Sequence, residues 1–139
     1  MSDIREISAD DLNALQDVLS NLSAVGLDPG DAQLVYDIRE HREVMTYGYF
    51  EDDRLVGTIS LLVEQKFIHN GGLVGHIEDA AVRSDCGGRG IGRALVAHAV
   101  EKCRDKGCYK VILDCAENLV GFYGKSGFRE AGVCMRLDL

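Results

Sequence analysis

The stretch Gly75–Leu95, GHIEDAAVRSDCGGRGIGRAL, reads as an apolar strand carrying the adjacent acids Glu78 and Asp79, then a glycine-dense loop, then a helix that opens at Ile91. Four of the six residues from Gly87 to Gly92 are glycine. Glycine reaches backbone conformations closed to residues with a Cβ, and it lets N–H groups approach a ligand closely. The helix behind the loop adds free amides and the positive end of its dipole, and Arg89 and Arg93 add full charge. Such a loop suits a pyrophosphate; a plain connector ahead of a helix is the alternative. A Walker A loop is excluded, because Arg93 and Ala94 follow Gly92 where lysine and Ser/Thr are required. A dinucleotide fingerprint is excluded as well, since this strand lies past the middle of the chain behind strands of antiparallel pattern.

Working outward, 139 residues with 46% hydrophobic content fit one domain, 1–139, with an ordinary core. A formal charge of -8 argues against nucleic acid or an anionic membrane as partner, so an anionic ligand must be held locally. The five cysteines are an odd set without C-x-x-C spacing, which indicates neither a disulfide framework nor a zinc site, and no metal is expected. Buried thiols in a reducing compartment account for them. No leader-like or bilayer-spanning run is present and Leu137-Asp138-Leu139 is not a peroxisomal address, so a cytoplasmic location is expected.

The other segments follow in order. A short strand at about 4–7 precedes a helix signalled by the capping-box pair Ser8 and Asp11 and by Leu12, Leu15, Val18, Leu19 and Leu22. Asp28-Pro29 starts a second helix to about Arg42. Alternation from Met45 to Val63 around Asp52-Asp53 predicts a β-hairpin, and a turn at His69-Asn70-Gly71-Gly72 leads into the Gly75 strand as the third of a meander. The Ile91 helix ends at Gly107, and Tyr109–Cys115 pairs in parallel with the Gly75 strand. Residues 117–126 read as short and helical, and Phe128–Leu137 as a last strand. The fold class is α/β (α+β): a mixed, mostly antiparallel sheet with flanking helices. The helix joining the parallel pair splays those strands, and the slim residues Ala80, Ala81 and Val82 leave an edge on which an amide-bearing chain such as pantetheine can pair.

The element order and the loop Gly87–Gly92 resemble the GCN5-related N-acetyltransferases, whose Q/R-x-x-G-x-G/A loop binds the acetyl-CoA pyrophosphate. The segments KFIH, GHIEDAAV, GCYKVILDC and FYGKSGF, followed by AGVCM, are similar to the glucosamine 6-phosphate N-acetyltransferases within that superfamily. The likeness covers about Lys66 to Met135, and more loosely the first two helices with Leu22–Gly26. It implies direct acetyl transfer from acetyl-CoA to glucosamine 6-phosphate in a ternary complex, serving UDP-GlcNAc biosynthesis. It places acetyl-CoA on the backbone of Ala80, Ala81 and Val82, with the pyrophosphate on Gly88, Arg89, Gly90, Ile91, Gly92 and Arg93. It assigns the sugar phosphate to Lys66, His69, Tyr109 and Lys110 from a partner subunit, because this family looks like intertwined homodimers with a shared site. Glu78 and Asp79 would meet sugar hydroxyls and amine, Ser23 a substrate-contacting loop, Asp114 the thioester end, and Tyr123 the role of general acid. Two departures stand out: Gly87 occupies the Q/R position, and Asp138 stands where the family has a substrate-binding arginine, for which Arg136 is the suggested substitute.

Acetyl transfer needs a neutral amine, a polarised carbonyl and a proton for the departing thiolate. The phenol of Tyr123, with a reference pKa of about 10, donates usefully to a thiolate, although a Phe-Tyr pair in a short helix is also ordinary core. As strand neighbours, Glu78 and Asp79 are expected on opposite faces and so not as a carboxylate pair. A backbone N–H near Ala80 can polarise the carbonyl as an oxyanion hole does. His69 beside Lys66 suits phosphate or a solvated turn, and Cys86 could be a reactive thiol under the helix dipole. Two rivals remain: acetylation of another amine, such as a protein N-terminus or another amino sugar, and a non-catalytic CoA-binding module.

Overall fold

Local chemistry sets the two N-terminal helices. In the computed structural model, which describes residues Met1–Leu139, the Asp11 carboxylate accepts from the Ser8 N–H at 2.8 Å and from its hydroxyl at 3.1 Å. A 3₁₀ turn then opens into α1 (Leu12–Leu19). The Asp28 carboxylate accepts from the Asp31 N–H at 2.9 Å with Pro29 in the first turn, and α2 runs Pro29–His41.

The strands are β1 (Ser2–Glu6), β2 (Met45–Glu51), β3 (Arg54–Gln65), β4 (Leu73–Val82) and β5 (Cys108–Ile112). They lie in the order β1-β2-β3-β4-β5, antiparallel except for the parallel β4–β5 pair. The β2–β3 hairpin turns on Asp52 and Asp53 with φ of 47° and 66°, the left-handed pair that matches the twist of the arms. The one-turn α3 (Ile68–Gly71) is irregular, because His69 and Asn70 are left-handed too, and it acts as the turn expected there.

One layer of helix covers each face of the sheet. On one face α4 (Ile91–Lys106) buries Leu95, Val96, Ala99 and Cys103 against Ile59, Leu61 and Ile77. Two glycines permit that approach. A Cβ on Gly57 would stand 2.9 Å from Ile91 Cγ2, and one on Gly75 2.3 Å from Cys103 Sγ. On the other face α1 seats Val18 with Ile7, Phe50, Leu55 and Ala81. Gly107 ends α4 at φ 81°, and after β5 a 3₁₀ turn leads to α5 (Val120–Gly124). No helix is long and apolar enough to cross a membrane.

Two expectations are corrected, the last strand and the burial of all five thiols. Residues 128–139 form no strand: Val133, Met135, Leu137 and Leu139 alternate as a strand would, yet all stand more than four-fifths exposed with no neighbouring strand to pair with. Arg136 lies on this exposed segment, where its Nε donates to Asp138 at 2.7 Å. Cys86 is packed in the core under the loop at 2% exposure, as a buried thiol should be, and not set out as a reactive group. Of the other thiols, Cys103 is buried and raised to about 11 by desolvation, whereas Cys115 and Cys134 are exposed.

Candidate functional site

The site is built where β4 leaves its neighbours. β4 and β5 pair only from Leu73 opposite Cys108 to His76 opposite Ile112, and beyond that the strands part. On its other side β4 carries a bulge. Ser60 opposes Glu78 and Thr58 opposes Ala81, so β4 holds one residue more than β3 across that interval. Asp79 takes up the extra residue with φ 48°, a conformation that costs a non-glycine residue on the order of 1 kcal/mol.

The bulge overturns the opposite-face expectation for the two acids. Ile77 packs with α4, so Glu78 turns to the α1–α2 face alongside its partner Ser60. Strict alternation would send Asp79 back toward α4. Instead it lines a cavity of about 140 Å³ on the α1–α2 face, together with Thr58, Ser60, Val25, Leu27 and Arg39. Both carboxylates thus face the same side. Burial pushes the Glu78 carboxyl above its ordinary value, and the Asp79 and Asp114 charges add to the rise while His76 opposes it. The bulge also resets the residues after it: Ala80 and Val82 pack toward α4, and Ala81 toward α1.

The sequence reading missed Arg39. Its Nη2 reaches from α2 to the Thr46 and Ser60 hydroxyls at 2.9 and 2.8 Å, which places a cation in the cavity that Asp79 lines. Helical spacing gives no hint of this, because α2 also exposes Leu34, Val35 and Ile38 and has no clean polar face. Ser23 is exposed on the loop between α1 and α2, beside the cavity residues Val25 and Leu27.

Ahead of α4 the loop has the open geometry expected of it. Gly88 and Gly90 sit at φ 75° and 78°, and nothing lies within 4 Å of a Cβ built on either. The amides at the start of α4, at Gly90, Ile91 and Gly92, therefore head an unobstructed cradle. Arg93 is exposed, while the Arg89 guanidinium is paired with Glu51 of the hairpin. Across the gap Tyr123 packs edge-on against Phe122 and Phe128, and burial, with the Cys115 charge behind it, pushes its phenol up. Asp114 is exposed just past β5, and its charge holds the Cys134 thiol above the ordinary range.

The remaining candidates gather at the opposite end of β4. The rings of His69 and Tyr109 stack at 3.9 Å and Lys110 Nζ lies 5.7 Å from the Tyr109 centroid. Gly72 makes room for this, since a Cβ there would stand 2.7 Å from the Tyr109 ring. Lys66 is next to it, held by Glu64 at 3.0 Å, and Glu64 also binds His76 at 2.9 Å.

The chain matches the model of the acetyltransferase (GNAT) family over residues 11–128. It is 38% identical over 140 residues to a glucosamine 6-phosphate N-acetyltransferase of Trypanosoma brucei brucei, covering 99% of this chain and 95% of the relative. Two rice proteins match over about half of their lengths, a probable bearer of that name at 46% identity over 62% of this chain and 52% of its own, and one bearing it outright at 49% over 60% and 51%. A solved acetyltransferase from Trypanosoma brucei superposes with a TM-score of 0.95 at 37% identity over 100% of both chains. The glucosamine-6-phosphate N-acetyltransferase of Arabidopsis thaliana does so at 0.93 and 28% identity, over 99% of this chain and 98% of that one. With its splayed strand pair, its glycine cradle and a family match across most of its length, the chain belongs to the acetyltransferase (GNAT) family.

Proposed function

We propose that the protein acetylates the amine of glucosamine 6-phosphate, taking the acetyl group from acetyl-CoA in a ternary complex. The observation that carries this is the second half of β4, where two carboxylates on one face adjoin a free strand edge that runs into the glycine cradle. The names of the full-length Trypanosoma relative and the Arabidopsis structure support the acceptor. The edge at Ala80–Val82 and the cradle from Gly88 to Arg93 fit an amide-bearing arm ending in a pyrophosphate.

Acetyl-CoA supplies the activated acetyl thioester; the chain's own groups do the rest. Glu78, with its raised pKa, takes the proton the sugar ammonium must lose before its nitrogen attacks. Asp79 and Ser23 orient the sugar hydroxyls. As the C–N bond forms and the C–S bond breaks, an N–H at Ala80 stabilises the carbonyl oxygen. Tyr123, a phenol protonated at neutral pH and pushed further up by burial, gives its proton to the leaving sulfur. Asp114, near the thioester end, adds to the field that raises Glu78.

The phosphate contacts come from Lys66, His69, Tyr109 and Lys110 of a second copy of the chain. Five residues of strand, about 17 Å, separate Leu73 from Glu78, so the cationic cluster of the same chain lies far along β4 from the acids. The alternating apolar residues 133–139 and the open outer edge of β5 are surfaces such a dimer would cover.

The deciding assay is thiol release from acetyl-CoA with glucosamine 6-phosphate, glucosamine or a peptide amine as acceptor. A strong preference for the phosphorylated sugar is expected, and no preference would overturn the substrate assignment. Sedimentation should give a dimer; a fully active monomer would rule out the shared site.

A further inference from the structure

The carbonyl of Val82, at the end of β4, points away from β3. Beside it the Arg83 N–H donates to the Val56 carbonyl at 2.8 Å, and the Ala81 carbonyl lies 3.3 Å from a Cβ built on Gly57. Residues 81 and 83 therefore face β3, and residue 82 faces the edge that β5 has already left. That carbonyl is nonetheless occupied. Asn21 Nδ2 donates to it at 2.9 Å, across 61 residues of sequence.

The placement is set by packing nearby. Val18 is fully buried against the sheet, and the chain leaves α1 through a turn in which the Ser20, Asn21 and Leu22 N–H groups donate back to Gln16, Val18 and Leu19. Asn21 is thereby set over the end of β4, one residue before the loop that carries Ser23 and the cavity residues Val25 and Leu27. A carboxamide N–H on a free strand-edge carbonyl is the contact that an amide of the pantetheine arm would make with the same atom.

We infer that Asn21 is a placeholder for CoA: in the free protein it holds the Val82 carbonyl, and the pantetheine arm displaces it. Its release frees the loop after α1, so that filling the donor site loosens the wall of the acceptor site. Until then the carbonyl keeps a hydrogen-bond partner, and the gap is entered by exchange of one amide for another. The inference rests on the cofactor placement proposed above.

Titration calorimetry with CoA itself, on the wild-type chain, Asn21→Ala and Asn21→Leu, tests this without turnover. Removing the competitor should tighten CoA binding about fivefold in both variants, the worth of one exposed hydrogen bond. Hydrogen exchange of the amides of residues 22–27 should quicken when CoA is added to the wild-type chain and should already be fast in free Asn21→Ala. Unchanged or weaker CoA binding by the variants would make Asn21 a simple tie between α1 and the sheet, and the inference would fall alone. No CoA binding by the wild-type chain would fell the cofactor placement and this inference with it.

Discussion

The two halves of β4 differ in kind. From Leu73 to His76 the strand is paired on both sides, and Val74 and Gly75 are buried. From Asp79 onward it has a bulge toward β3, an open edge toward β5, and two exposed carboxylates at the boundary. The first half is ordinary sheet, hydrogen-bonded to a strand on either side, with Val74 and Gly75 in the core and Leu73 and His76 half-buried. In the second half the strand partner toward β5 is missing, and groups left without one, such as the Val82 carbonyl that only the Asn21 side chain meets, are what an extended ligand can use. The chemistry of this molecule collects where the sheet stops satisfying itself.

If that contrast holds, changes in the second half should alter catalysis and changes in the first half stability. The largest effect is expected from Glu78→Gln, which removes the base and should lower kcat about a thousandfold in the thiol-release assay. The same variant should be more stable at neutral pH. A carboxyl whose pKa is raised by folding binds protons more readily in the native state, so stability falls as pH rises from the ordinary value through the raised one. Glutamine removes that fall, and the two proteins should converge in stability in acid. Glu78→Gln that kept full turnover would reduce the carboxylate to a structural group.

Next comes Tyr123→Phe, with kcat expected to drop about a hundredfold while CoA affinity measured by calorimetry stays put. Equal loss of both would make Tyr123 a packing residue. In the first half, Gly75→Val drives a side chain into Cys103 and should cost about 3 kcal/mol in denaturant unfolding. A variant of normal stability but reduced turnover would break the division between the halves. The smallest effect on stability is expected from Asp79→Gly, which also loses the proposed sugar contact and so should raise KM for glucosamine 6-phosphate. Glycine relieves the left-handed strain and should stabilise the fold by about 1 kcal/mol. It also removes a charge that raises Glu78, so the acid limb of the kcat/KM profile should move to lower pH.

Sequence reading succeeded wherever a feature is made by residues close in the chain. Ser8 with Asp11, Asp28 with Pro29, Asp52-Asp53 and Gly107 each act within a few residues of themselves, and each appears in the structure as expected. The glycine cradle is legible for the same reason: four glycines ahead of a helix carry their conformational freedom with them. Reading failed where the partner is distant. Nothing near Asp79 announces the bulge, because it arises from the register between β4 and a strand some twenty residues earlier. Arg39 and Asn21 carry no motif; they matter through Ser60 and Val82, to which only folding brings them.

The strand expected over 128–137 teaches the converse. Its alternation is written plainly in Val133, Met135, Leu137 and Leu139, but a pattern becomes a strand only when another strand supplies hydrogen bonds and an apolar face, and within one chain neither is there. The sequence by itself determined the helices, the hairpin and the anion-sized loop, since short-range sterics and capping bonds are intrinsic to the local chain. The tertiary structure decided that Glu78 and Asp79 share a face, that β4 ends in an open edge, and that Asn21 holds its last carbonyl. Each of these depends on which distant backbone lies alongside, a choice made by packing α1 and α4 on opposite faces of one sheet.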